Sequence, residues 1–113
     1  MSKTLTDIVI NALEDIKGLN IAVLDVTKLT DVMDTLVVAS GNSSRQVKAL
    51  ADNVIEQSKK AGFQPIGVEG MEGSEWVLVD LGDVVVHVML PETRAFYELE
   101  KLWSIRPDDV KRR

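Results

Sequence analysis

The chain has 113 residues, 45% of them hydrophobic and 27% charged, with no cysteine and a formal charge of −5. That length fits one domain burying about 65% of the surface its unfolded form exposes, and the composition excludes a disordered tail, a disulfide scaffold and a thiolate metal site. The acidic balance argues against a protein that tracks nucleic-acid phosphates. It suits a basic protein partner, or simply keeps a small domain soluble.

The first residues, Met1 to Asp7, are polar and carry an acid where a signal peptide needs an unbroken apolar run. No stretch approaches the ~18 consecutive apolar residues of a membrane span. Together with the missing cysteines, this leads us to expect a cytoplasmic protein that does not engage membranes. Thr4 to Lys17 places Leu5, Ile8, Val9, Ala12, Leu13 and Ile16 at helical spacing. Thr4 and Asp7 resemble a capping signal, and Gly18 suits a left-handed position past the end.

Asn20 to Val26 is short and apolar on both faces, which predicts a central strand. A polar connection over Thr27 to Met33 leads to a second buried strand, Asp34 to Ser40. Gly41-Asn42 breaks it, and Ser43 opens a long helix with Gln46 at capping-box spacing. Val47, Leu50, Ala51, Val54 and Ile55 form its apolar stripe, and Ala61-Gly62 ends it. Pro65 to Val68 predicts a short edge strand, since proline is tolerated there.

Glu75 to Leu90 is the most informative stretch. Two runs rich in β-branched residues flank Gly82-Asp83, a two-residue loop of the kind that closes a hairpin. That loop sets Leu81 opposite Val84 and Trp76 opposite Met89. Side chains alternate across strands, so one face carries Val77, Val79, Leu81, Val84, Val86 and Val88 and is predicted to be core. The other carries Trp76, Leu78, Asp80, Val85, His87 and Met89, and is mixed. Pro91 opens a last helix with Phe96, Leu99 and Trp103 on one face. After Ser104 the pattern dissolves, predicting a domain over 1–104 and a flexible charged tail over 105–113. The element order predicts an α/β domain with a mixed sheet and helices packed mainly on one face.

Enzymatic readings find little support. The Gly41–Arg45 junction has the free N–H groups and helix N-terminus of a phosphate site, and nucleotidyltransferases use a similar Gly-Ser junction followed by paired acids that hold metal ions. Here the hairpin loop separates Asp80 from Asp83. No Asp-x-Asp pair, Walker lysine motif or Gly-x-Gly-x-x-Gly occurs. The simpler reading is a capped strand-to-helix turn. His87 is the only histidine, which excludes a multi-histidine metal site, and spacing does not support a triad of Ser40, His87 and Asp80. Trp76 beside Met89, ringed by Asp80 and His87, has the residue types enriched at protein interfaces. The alternative is a covering helix that makes Trp76 a core residue.

The run Asp31-x-x-Asp34-x-Leu-Val-Val-Ala-Ser-Gly-Asn-Ser-Ser-Arg-Gln-Val, then Gly67-Val68-Glu69-Gly70, then Trp76 to Met89, then Arg94-x-Phe-Tyr-x-Leu-Glu-x-Leu-Trp103 resembles the ribosomal silencing factor family, also called Iojap-like. The resemblance spans Leu5 to Ser104. It implies a nucleotidyltransferase-like fold without known enzymatic activity. It also implies binding to the fourteenth protein of the large ribosomal subunit, where a bound factor sterically blocks small-subunit joining and represses translation. The expected partner-binding residues are then Trp76, Leu78, Asp80, His87, Met89 and, from the last helix, Tyr97. No catalytic residue, cofactor or metal is expected, and direct RNA contact is not required. Two alternatives stay open: a nucleotide-binding or nucleotidyltransferase-like enzyme using Gly41–Arg45, and a homodimer formed through the sheet face.

Overall fold

A computed structural model describes residues 4–28, 31, 33–97 and 110–112 of the chain, the last three and residues 96 and 97 by backbone alone. The elements run α1 (Leu5–Asp15), β1 (Leu19–Asp25), β2 (Thr35–Ser40), α2 (Ser44–Lys60), β3 (Gly67–Glu69), β4 (Trp76–Asp80), β5 (Val84–Met89), α3 (Pro91–Tyr97) and β6 (Val110–Arg112). The strands make one sheet in the order β3-β4-β5-β2-β1-β6. Among the described strands, only β2 and β5 pair in parallel; the other neighbours are antiparallel. This is the mixed α/β sheet the element order predicts.

Each central strand is apolar on both sides because each side is covered. Val37 and Ala39 of β2 join Val77, Val79, Val86 and Val88 under the apolar stripes of α1 and α2, in one continuous core. Leu36, Val38 and Met89 face the other way, into a second cluster with Ala22, Leu24, Val26 and Met33. The sheet thus has two dry layers of unequal size. α1 and α2 both lie on the larger one.

Local chemistry sets the helix ends. The Thr4 hydroxyl accepts from the Asp7 amide at 3.2 Å, and the Ser43 hydroxyl from the Gln46 amide at 3.1 Å, so both caps form as the sequence predicts. The Gln46 side-chain oxygen accepts from the Asn42 amide at 2.6 Å. Its Nε2 donates to the carbonyls of Ile16 at 3.1 Å and Lys17 at 3.2 Å. One side chain therefore joins the end of α1 to the start of α2.

Three expectations change. The left-handed residue after α1 is Lys17, with φ +60, not Gly18. Gly18 is needed for space: a Cβ there would stand 3.1 Å from the Leu13 carbonyl oxygen and 3.3 Å from a Leu50 methyl. The edge strand begins at Gly67 rather than Pro65. Val110–Arg112 pairs antiparallel with β1 from Ala22 to Leu24, so these three residues do not fray as the tail expectation had it. The outer edge of β1 offers unpaired backbone groups that a short strand satisfies. The remainder of 105–113, and Leu99 and Trp103 of the last helix, lie outside the described residues.

β1 also carries a bulge between Leu19 and Ala22, where Asn20 takes φ +48. The bulge turns the Asn20 carbonyl toward α3, where the Arg94 guanidinium donates to it at 2.7 Å.

Ser43→Ala removes the hydroxyl that satisfies the Gln46 amide and should cost about 1 kcal/mol of stability, measurable as a lower denaturant midpoint with an unchanged m-value.

Candidate functional site

The hairpin forms in the expected register, residue for residue: Trp76 opposite Met89, Leu78 opposite His87 and Asp80 opposite Val85. The Leu81 amide donates to the Val84 carbonyl at 2.9 Å, and Gly82 takes φ +91 in the two-residue loop. A glycine at the first loop position meets the twist of a tight hairpin. The core face is buried along its length, from Val77 to Val88.

The opposite face is graded rather than uniformly open. Met89 is fully buried and His87 only 8% exposed, whereas Trp76, Leu78, Asp80 and Val85 are half-buried. Apart from Val85, next to the hairpin loop on β5, the gradient follows distance from the sheet centre. β5 lies beside β2, whose residues Leu36 and Val38 are fully buried, and β4 lies one strand further out. Met89 was expected on the contact surface; it instead packs beneath it, with Trp76 and Val85 resting partly on the same cluster. Burial by neighbours on β1 and β2 accounts for this correction.

Next to Trp76 and Leu78, the edge strand supplies Glu69, which pairs with Leu78 across the ladder. Glu69, Gly70, Trp76 and Leu78 line a shallow cleft of ≈ 340 Å³. Glu69 and Gly70 are exposed. Gly70 has φ +89, and a Cβ there would clash with the Trp76 carbonyl oxygen. Here glycine lets one wall of the cleft approach the other. Neither residue was among the expected contacts, although Gly67-Val68-Glu69-Gly70 was prominent in the sequence; the three-residue pairing that brings Glu69 beside Leu78 was the missing link.

Polar groups on the face have local tasks. An Asp80 carboxylate oxygen accepts from the Gly82 amide at 2.9 Å and braces the hairpin loop. The Trp76 indole N–H donates to His87 Nδ1 at 2.9 Å, with ring centroids 5.9 Å apart and planes at 48°. Burial pushes the His87 pKa down to about 4, since the charged imidazolium loses its hydration. Phe96 and Tyr97 belong to α3 by their backbone, but the Tyr97 side chain lies outside the described residues.

The residues of the rival enzymatic readings are not brought together. The Ser40 hydroxyl accepts from the Arg94 guanidinium at 3.3 Å, His87 Nδ1 is taken by Trp76 and Asp80 is turned to the loop. Asp83 is exposed in the turn, and its carbonyl accepts from the amides of Asp34 and Thr35. At the Gly41–Arg45 junction, Gln46 and Ser43 already accept from the Asn42 and Gln46 amides, and a Cβ on Gly41 would lie 2.9 Å from the Val47 amide nitrogen. The junction is a packed cap. Among the described residues no cluster of His, Cys, Asp or Glu has the arrangement to hold a metal ion, and no helix is long and apolar enough to cross a membrane.

The hairpin thus has one face sealed into the core and the other half-open around a tryptophan. A family model described as "Ribosomal silencing factor during starvation" matches residues 1–113. The chain belongs to the ribosomal silencing factor family. Among its relatives, the ribosomal silencing factor RsfS of Chromobacterium violaceum is 54% identical over 100 residues, covering 88% of this chain and 82% of that protein. The silencing factor of Haemophilus influenzae is 42% identical over 100 residues, covering 88% and 98%. A crystal structure of a Chromobacterium violaceum protein superposes with a TM-score of 0.88 at 53% identity, covering 90% of this chain and 85% of that one. The mixed sheet and the hairpin are therefore those of a silencing-factor fold.

Two stability predictions follow from the burial gradient. Met89→Ala should cost about 2–5 kcal/mol through the cavity it leaves, read by chemical denaturation. His87 is neutral in both states above pH 6.5; between 6.5 and about 4 the unfolded chain takes up the proton and the folded chain does not. Stability should therefore fall as pH drops through that window and level off, as far as His87 is concerned, below about 4. The difference between 6.5 and about 4 corresponds to about 3 kcal/mol. Comparing the pH dependence of unfolding in wild type and His87→Asn isolates this contribution.

Proposed function

We propose that this silencing factor is an occluding binding protein of the cytoplasm. It docks on the large ribosomal subunit through that subunit's fourteenth protein, and its bulk then blocks small-subunit joining and represses translation. The docking surface in this reading is the half-open side of the hairpin: Trp76 and Leu78 at the centre, with Asp80 and His87 around them. The reading also assigns Tyr97 of α3 as a contact, and Met89 supports the surface from below. The observation that carries the reading is the cleft itself, an apolar floor of Trp76 and Leu78 with the Glu69 carboxylate at its rim.

Physical chemistry supports this assignment. Ribosomal proteins are generally basic, and a charge of −5 favours their encounter with this domain. A half-buried tryptophan backed by a dry layer is the kind of residue that dominates interface energetics. Occlusion needs no chemistry, in keeping with Asp80, His87 and Ser40 being occupied by structural hydrogen bonds. The role requires neither a membrane nor a direct contact with RNA.

Trp76→Ala should weaken binding to the isolated large-subunit protein by ~2 kcal/mol or more while leaving the fold intact by circular dichroism. In sucrose gradients the wild-type protein should co-migrate with large subunits and increase the free-subunit fraction, and Trp76→Ala should do neither. Wild-type binding by the folded variant would move the site elsewhere. A concentration-dependent dimer lost in the same variant would assign the face to self-association.

A further inference from the structure

The Trp76–His87 contact joins two side chains of unequal freedom. His87 lies inside the sheet, opposite Leu78 on β4 and beside Val38 on β2, with 8% of its surface exposed. Trp76 begins β4, one strand nearer the edge, and is half-buried. The more deeply set partner is therefore the imidazole, and the more exposed one is the indole, which also rests on the second apolar cluster. An indole N–H can only donate, so Nδ1 of His87 must be unprotonated and, in the neutral ring, the proton sits on Nε2.

We propose that His87 is a positioning residue: through Nδ1 it holds the Trp76 indole in the single orientation that a protein partner meets. This rests on the reading of the hairpin face as a docking surface. Any population of other staggered rotamers lowers the competent fraction, and a partner selecting one of them loses affinity by that fraction. The hydrogen bond and the tilted ring contact remove this loss before binding. Protonation of Nδ1 would set two N–H donors against each other and release the indole. The charged groups on this face among the described residues are Asp80 of β4, whose carboxylate already accepts from the Gly82 amide, Glu69 of β3, one strand further out opposite Leu78, and Arg94, which donates to the Ser40 hydroxyl of β2.

The test exploits His87 being the only histidine, so a nitrogen-15 spectrum of the imidazole contains one ring. The expected result at neutral pH is the Nε2–H tautomer. The indole N–H signal that is missing in Trp76→Phe should move as the imidazole titrates on acidification. Binding of purified large subunits is then compared for Trp76→Ala, His87→Asn and His87→Gln. Asparagine places its carbonyl oxygen near the position of Nδ1, whereas glutamine carries its own toward Nε2. His87→Asn should bind within about threefold of wild type, and His87→Gln about tenfold more weakly, the worth of one hydrogen bond of ~1.4 kcal/mol.

An Nδ1–H tautomer in the wild type overturns the proposal. So does His87→Gln binding as well as wild type while Trp76→Ala fails to bind, or His87→Asn binding as weakly as His87→Gln. Should Trp76→Ala bind normally, the docking surface is wrong, and with it the proposal that the orientation serves a partner. The tautomer alone then shows whether His87 holds the indole. If His87→Gln does not fold, the asparagine variant and the tautomer measurement decide the matter.

Discussion

The parallel pairing of β2 with β5 sits at the centre of the sheet, and the placement of nearly every other element can be traced to it. From Thr35 opposite Val84 to Ser40 opposite Met89, the two strands run in register for six residues. Their side chains are buried on both sides, which leaves little freedom for slippage, because a shift by one residue would exchange the two faces. A parallel neighbour cannot be reached by a tight turn. The chain must leave β2, cross the sheet as α2, and return through the edge strand and hairpin. That excursion lays α2 over the larger core and carries the hairpin's Trp76 and Leu78 to the outer half of the sheet. On the mixed face, His87 and Met89 beside Val38 and Ser40 are dry, whereas Trp76, Leu78 and Asp80 one strand out, and Val85 next to the hairpin loop, are half-buried.

The hairpin was legible in the sequence because two local signals agree there. A Gly-Asp loop fixes the register, and strict alternation fixes which residues share a face. Both caps were legible for a similar reason, since Thr4–Asp7 and Ser43–Gln46 act over a single turn. The depth of burial on the mixed face was not legible in the hairpin alone. Whether Met89 is wet or dry depends on Leu36 and Val38, some fifty residues earlier in the chain, and on Ala22 and Leu24 beyond them. The clue was present in the uninterrupted apolar run of β2, which requires cover on both sides and extends that cover to the neighbouring strand. Glu69 was missed because its place beside Leu78 comes from a three-residue pairing that gives no periodic signal. Lys17 replaced Gly18 in the left-handed position because the tight approach of Leu13 and Leu50 fixes the glycine for its size, leaving the preceding residue to make the turn. Val110–Arg112 carries no alternating pattern and was invisible for that reason.

A surface assembled in this way is stiff before anything binds it. The hairpin loop is braced by Asp80, the cleft wall is held close by Gly70, and the floor rests on a layer that excludes water. Such preorganisation lowers the ordering cost that a protein interface otherwise meets. In the proposed reading, recognition falls to a few half-exposed side chains while the rest of the hairpin maintains the fold, and both tasks share the same two strands. A substitution that loosens the dry layer would therefore change the surface without touching it.

The bridge made by Gln46 bears on how the helix layer opens. Its amide closes the carbonyl end of α1 while its oxygen closes the amide end of α2, so the two helix dipoles meet head to tail through one side chain. Fraying of either terminus breaks hydrogen bonds that the other end shares. Asn53 adds a second tie, donating to the Ala12 carbonyl at 2.8 Å. α1 and α2 are thus tied to each other as well as to the sheet, so that local opening of one helix costs hydrogen bonds shared with the other.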